Sequence, residues 1–208
     1  VYGSNKKNVI NEKSNIAPDS LYGISKYSGE LFINHTLRNT KVKTFIFRIF
    51  NTYGPGENLN NLKKGMVGIY CSFIWRNKPI LVKGSLNRFR NFVYVDDCAE
   101  ILAKTIENRK LNNHEVFNLT SEKKVYVRDL VRNILRINKI NDFRVIIKKG
   151  TPGDSFGYHS NNKYLSKKFS NLYFTNINKG LIKYFQWLKD VPNKKHLNNY
   201  HPFKLLSK

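Results

Sequence analysis

Between residues 42 and 50 the chain reads VKTFIFRIF, a nearly continuous run of β-branched and aromatic side chains. A strand with one wet face alternates apolar and polar residues. This one does not, and it therefore reads as a strand buried on both faces, as in a parallel sheet. The surrounding sequence agrees with that choice. Pro18 and Ser20 open a helix predicted to run to about Asn39, with Leu21, Ile24, Ser28, Leu31 and Phe32 at helical spacing. GMVGIYCSFIWRN (65–77) returns to a helical pattern, PILV (79–82) and NFVYV (91–95) read as short strands, and Asp96 and Asp97 read as caps of a helix reaching about Asn108. EVFNLT (115–120) and FRVIIKK (143–149) read as strands, while Val127–Ile137 and Ile177–Leu188 read as helices. Strands and helices alternating at this spacing predict an α/β fold with parallel strands. The tail beyond Pro192, rich in Asn, Lys and His, carries no such pattern.

The composition excludes several classes. With 208 residues, 40% hydrophobic and 13% aromatic, the chain can bury a core and is not of the disordered type. No run approaches 18 consecutive apolar residues, so no membrane span is expected. Cys71 and Cys98 belong to no metal or redox spacing and read as core residues in a reducing, cytoplasmic setting. The five histidines form no metal-spaced cluster, so no metal is expected. A net charge of +23 raises the question of nucleic acid, but the basic residues spread over every segment instead of concentrating where phosphates would lie. No nucleic-acid partner is expected; an anionic small substrate uses the same charge. The start at Val1-Tyr2-Gly3 reads as the end of a strand in the later part of a longer protein.

Three stretches could carry chemistry. Tyr22 and Lys26, four apart on the first helix, share one face. An ammonium beside a phenol favours the phenolate, which suits a tyrosine that exchanges a proton with an alcohol. The small Gly23, Ser25 and Gly29 would let a flat cofactor approach. Tyr2/Lys6, Tyr164/Lys168 and Tyr200/Lys204 have the same spacing; the first and last are poor helix candidates, and Tyr164/Lys168 reads as a solvated helix face. In RIFNTYGPG (48–56), Asn51 stands beyond the carboxyl end of a strand, where open α/β sheets contact ligands, although opening a turn is an equally good use for it. In RFRNFVYVDD (88–97), Arg90 could clamp a phosphate or could simply be a surface arginine. No glycine-rich dinucleotide loop, P-loop, zincin motif or hydrolase elbow occurs in this span.

In order and spacing, VYG (1–3), PDSLYGISK (18–26), RIFNTYGPG, RFRNFVYVDD, VFNLT (116–120) and PGDSFG (152–157) resemble the extended short-chain dehydrogenase/reductase family, specifically its sugar-nucleotide epimerases and dehydratases. The branch of UDP-glucose 4-epimerase is the most similar. The resemblance implies the trailing part of a Rossmann-type parallel sheet interleaved with a small α/β substrate-binding domain. Residues 1–51 and 91–121 would form the NAD-binding part, 52–90 and 122–190 the substrate-binding part, and 191–208 a tail. It implies NAD as cofactor and C4 epimerisation of a nucleotide-activated hexose through a 4-keto intermediate. Tyr22 would be the acid/base and Lys26 the holder of the nicotinamide ribose, with Phe50 beside the cofactor. Asn51 and Arg90 would contact the diphosphate end of the sugar nucleotide, and Val82 and Lys83 would lie near its base. A homodimer built on the helix over 20–39 is implied as well. Nucleotide-sugar dehydration or decarboxylation on the same scaffold is the alternative, as is a non-catalytic nucleotide-sugar-binding fragment. The chain departs from the pattern at Asn91, where many members have Asp. It departs again at Thr151-Pro152-Gly153-Asp154, where many have Arg-x-Gly-Asp, and at Ser160-Asn161, where Ala-Asp is usual. The glycine-rich loop and the catalytic Ser/Thr of the family would precede Val1.

Overall fold

Ser20 opens the first helix as its sequence predicts: its Oγ accepts the Gly23 N–H at 3.1 Å, satisfying one of the orphan donors of α1 (Leu21–Leu37). The computed structural model describes residues 1–3, 9–63, 65–108, 110–141, 145–150 and 156–191. The remaining elements are β1 (Phe45–Ile49), β2 (Thr52–Tyr53), α2 (Met66–Trp75), β3 (Ile80–Lys83), β4 (Phe89–Asn91), β5 (Val93–Tyr94), α3 (Val95–Glu107), β6 (Glu115–Leu119), β7 (Lys124–Tyr126), α4 (Val127–Ile137), β8 (Val145–Lys148), α5 (Lys163–Lys168) and α6 (Ile177–Asp190). The expected α/β class holds. The loop at 151–155 and the tail from 192 onward lie outside the described residues.

Among the described residues the strands pair two by two. β1 runs parallel to β6 with Phe45 opposite Glu115 and Ile49 opposite Leu119. β2 pairs parallel with β5, and β3 parallel with β8. β4 and β7 are antiparallel, which departs from an all-parallel expectation. The predicted strand over 91–95 is also two strands. Asn91 ends the ladder to β7, and Val93 begins the one to β2, so the chain changes partner at Phe92.

The doubly buried β1 is not found. Phe45 to Arg48 are half-buried and Ile49 is 44% exposed. Among the described residues only one edge of β1 is paired, to β6, and its α1-facing side forms the wall of an open groove. The apolar run nevertheless contributes to a core: Phe47 stacks on Phe117 at 5.4 Å within a cluster of Val93, Cys98, Ile101, Leu119, Leu165 and Phe169. A second, larger cluster joins β2, α2, β3, α4 and α6 around Tyr53, Tyr70, Ile80, Leu130, Ile134 and Tyr184. The helix α5 packs with the first cluster through the fully buried Leu165.

Asp96 and Asp97 do not cap α3 with their side chains. The N-cap is Tyr94, without a side-chain hydrogen bond, and the two aspartates lie in the first turn, where negative charge complements the helix dipole. Asp97 is buried and accepts from both the backbone N–H and the hydroxyl of Thr175, each at 2.7 Å. Its function in the fold is to tie α3 to the segment that leads into α6.

Candidate functional site

A groove of about 710 Å³ opens between α1 and β1. Tyr22, Lys26, Phe50 and Asn51 all line it, as do Arg48 and Tyr158. Tyr22 is 65% exposed, and the Lys26 ammonium stands 5.4 Å from the centroid of its ring, on the shared face that i,i+4 spacing dictates. Ser25 and Gly29 line the same wall. A Cβ built on Gly29 would meet nothing within 4 Å, so the helix presents open space there.

The rival pair Tyr164/Lys168 shows how little spacing alone decides. It also lies on a helix, and its ammonium sits 5.5 Å from the ring centroid, almost the same geometry. Both side chains, however, are committed to Glu115. Lys168 Nζ donates to Oε1 at 2.8 Å and Tyr164 Oη to Oε2 at 3.2 Å, with the Glu115 side chain only 4% exposed. Burial opposes the Glu115 charge, but these hydrogen bonds outweigh it and hold its carboxyl below the ordinary range. The expected solvated face is thus a structural lock against β6. Lys6 of the pair Tyr2/Lys6, and the whole of Tyr200/Lys204, lie outside the described residues.

Asn51 adopts φ of 36°, in the left-handed region that Asn tolerates better than most residues. Its Nδ2 donates to the Asn91 carbonyl at 3.0 Å, and its own carbonyl accepts from Val93 N–H. The turn after β1 is thereby pinned to β4 and β5. Phe50 rests on Tyr2 with ring centroids 6.3 Å apart.

Arg90 is buried at 7% exposure on β4, outside the groove lining, and donates through Nη1 to the carbonyls of Phe89 (2.8 Å) and Phe156 (3.2 Å). Its guanidinium lies 5.9 Å from the ring of Tyr158, which does line the groove. Burial, with the like charge of Arg88, lowers its pKa from the ordinary arginine value. Val82 and Lys83 do not join the groove. Val82 is fully buried in the larger core, so its side chain has no free surface for a ligand, while Lys83 is exposed at the end of β3 with its carbonyl accepting from Arg88 Nη2.

Sequence reasoning passed over a polar network beneath the groove: Glu30 on α1, Arg48 on β1, and Tyr2, Glu12 and Asn118 around them. One signal was available: Arg48 is the lone charge in the apolar half of the β1 run, and a buried charge needs a partner. Tyr158 was also missed, and nothing in its polar, loop-like neighbourhood marks it.

Residues 1–120 match the NAD dependent epimerase/dehydratase family. The chain is 26% identical over 140 residues to a dTDP-4-dehydro-6-deoxyglucose reductase of Escherichia coli, covering 67% of this chain and 43% of that protein. It is 30% identical over 117 residues to a dTDP-L-rhamnose 4-epimerase of Burkholderia thailandensis, covering 56% of this chain and 32% of the relative. Its fold superposes with a TM-score of 0.82 on a UDP-glucuronic acid 4-epimerase of Bacillus cereus solved with UDP-glucuronic acid and NAD, at 23% identity, covering 91% of this chain and 59% of that one. The chain thus spans less than half the length of these curated relatives. With more than half of its residues matched by the family pattern and the fold in agreement, the chain belongs to the NAD dependent epimerase/dehydratase family.

Proposed function

We propose that this chain carries the acid/base and sugar-nucleotide half of an enzyme that epimerises C4 of a nucleotide-activated hexose of the UDP-glucose/UDP-galactose type. The observation that carries the reading is that Tyr22 and Lys26 share one face of α1 and line the groove, with the Lys26 ammonium 5.4 Å from the centroid of the Tyr22 ring. Tyr22 removes the proton of the C4 hydroxyl and later restores it. Lys26 stands beside the Tyr22 ring, and its ammonium donors hold the ribose of the cofactor. Asn51 and Arg90 steer the diphosphate end, Asn51 from the groove lining and Arg90 from behind Tyr158, whose ring lines the groove. Lys83 lies toward the base, with Val82 contributing only through its backbone.

The groove fits a nicotinamide dinucleotide at its ribose end. It is roomy, it is open at Gly29, and it presents an ammonium, a phenol and the flat ring of Phe50 together. Held there by Lys26 and beside Phe50, NAD would supply reversible hydride transfer at C4, for which a 4-keto sugar is the intermediate. The chain's own contribution is to move the proton at the C4 oxygen and to hold the sugar nucleotide while that carbon turns over. The free and buried cysteines Cys71 and Cys98 support a reducing, cytoplasmic setting, and the α1 surface supports a homodimer. Among the described residues no helix is long and apolar enough to cross a membrane.

A second reading keeps the site and stops halfway: reduction of a 4-keto sugar nucleotide, favoured by the likeness to the E. coli reductase. Dehydration uses the same 4-keto chemistry. Incubating the full protein with UDP-galactose and NAD, and separately with a 4-keto sugar nucleotide and NADH, separates these. Interconversion with UDP-glucose supports epimerisation, and its absence alongside reduction of a 4-keto sugar nucleotide overturns it.

A further inference from the structure

The helix that carries Tyr22 and Lys26 is held in an unusual way. Of its 17 residues only Gly23 and Glu30 are buried. Leu21 is 87%, Leu31 51% and Phe32 69% exposed, so among the described residues apolar packing does little to fix where α1 sits. Yet Glu30 is one turn beyond Lys26 and two beyond Tyr22, and it reaches down to β1. Arg48 meets its carboxylate with Nε at 3.0 and 3.2 Å from Oε1 and Oε2 and with Nη2 at 2.6 Å from Oε2. Both side chains are 10% exposed. The other arm of Arg48 donates through Nη1 to Tyr2 Oη at 2.9 Å and to the Glu12 carbonyl at 3.4 Å. Tyr2 Oη in turn donates to Asn118 Oδ1 at 2.6 Å, and the Asn118 N–H reaches Glu12 Oε1 at 2.7 Å. One guanidinium therefore registers α1 against β1, β6 and the entering chain at once.

We propose that the Glu30–Arg48 pair is a positioning device that sets the height and rotation of α1 and so aims Tyr22 and Lys26 into the groove. The pair rests on the reading of those two residues as the reacting groups. A planar fork is needed, because a lysine could hold the distance but not the rotation. A buried ion pair is a weak way to gain stability and a directional way to fix geometry, which apolar packing among the described residues does not supply to α1. Burial works against the Arg48 charge, and the hydrogen bonds to Glu30 and Tyr2 overcome it, leaving the guanidinium more firmly protonated than usual.

The test uses the full protein and three variants, Glu30→Gln, Arg48→Lys and the double Glu30→Gln/Arg48→Lys. In each folded single variant kcat falls ~10- to 100-fold while KM for the nucleotide sugar stays within about threefold, because proton transfer is sensitive to misplacement and binding at the far end is not. The double variant is no slower than the slower single, since both remove one coupled interaction. Independently of turnover, amide exchange over 21–37 in Glu30→Gln quickens by ~10-fold or more, while β6 and α4 keep their protection. Wild-type kcat in folded Glu30→Gln, multiplicative losses in the double variant, or unchanged exchange over α1 would each overturn the proposal. If α1 exchange rises as expected but Tyr22→Phe retains full turnover, it is the reading of the reacting pair that has failed, and with it the catalytic purpose assigned here.

Discussion

Gly180 on α6 faces Tyr53, the tyrosine of the NTYGPG turn, and this contact offers a quantitative probe of how the turn after β1 is fastened to the larger core. A Cβ at position 180 would overlap the Tyr53 hydroxyl and stand 2.7 Å from Cζ and 2.9 Å from Cε2. Tyr53 is 2% exposed, with Phe92 and Tyr94 packed edge-on against its ring, so the ring cannot swing away cheaply. Overpacking of this kind costs about 3 kcal/mol at the upper end of its usual range. Alanine returns about 1 kcal/mol through its better helix propensity. Gly180→Ala is therefore expected to lose about 2 kcal/mol, read as a fall of roughly 1 M in the urea midpoint for a slope near 2 kcal/mol/M. The Tyr53 hydroxyl is buried and finds no hydrogen-bond partner among the described residues, and burial pushes its pKa well above the ordinary phenol value. Tyr53→Phe should thus be neutral or stabilising by up to about 1 kcal/mol. Combined with Gly180→Ala it should recover about 1 kcal/mol more than Tyr53→Phe contributes alone, a coupling of about 1 kcal/mol in a double-mutant cycle. A stable Gly180→Ala protein, or strict additivity of the two changes, would refute the packing argument.

Other outcomes follow from charges at the edges of the same core. Glu57 receives the Tyr184 hydroxyl at 2.8 Å, and burial raises its pKa despite that bond. Because the folded state binds the proton more tightly than the unfolded chain, this group's contribution to stability declines as pH rises from the ordinary carboxylate value through the raised one. Glu57→Gln should accordingly gain stability over wild type at pH 7 and show no gain at pH 4, which urea unfolding at the two pH values reads directly. Asp97→Ala strands the Thr175 N–H and hydroxyl and should cost about 2 kcal/mol in the same assay. Arg90→Lys keeps the charge and loses the fork, so KM for the nucleotide sugar should rise ~10-fold with little change in kcat.

The sequence made the helices legible because their signals are local. Ser20 caps α1, Val127 to Ile137 repeat at 3.6 residues, and both elements appear where those patterns place them. What escaped it depends on partners distant in the chain. The burial of β1 follows from which edges are covered, and its residues alone do not specify that. The two-residue β2 and β5 exist only as each other's partners. Phe92, which divides the apolar NFVYV, divides it because β7 and β2 compete for the flanking residues. At the site, Tyr22, Lys26, Phe50 and Asn51 were readable as a constellation, and they meet in one groove. Glu30 and Tyr158 were not. Glu30 looks like an ordinary exposed helix carboxylate until Arg48 is placed beneath it, and Tyr158 becomes relevant only when its loop crosses to Ile10, whose N–H bonds the His159 carbonyl at 2.7 Å.

The most direct measurement is kcat for Tyr22→Phe in the full protein with UDP-galactose, alongside the dissociation constant of the sugar nucleotide. The account predicts a fall of ~10²- to 10⁴-fold in kcat with binding held within about threefold, since one hydroxyl carries the proton and does not carry the affinity. Turnover at the wild-type rate in that variant would contradict it.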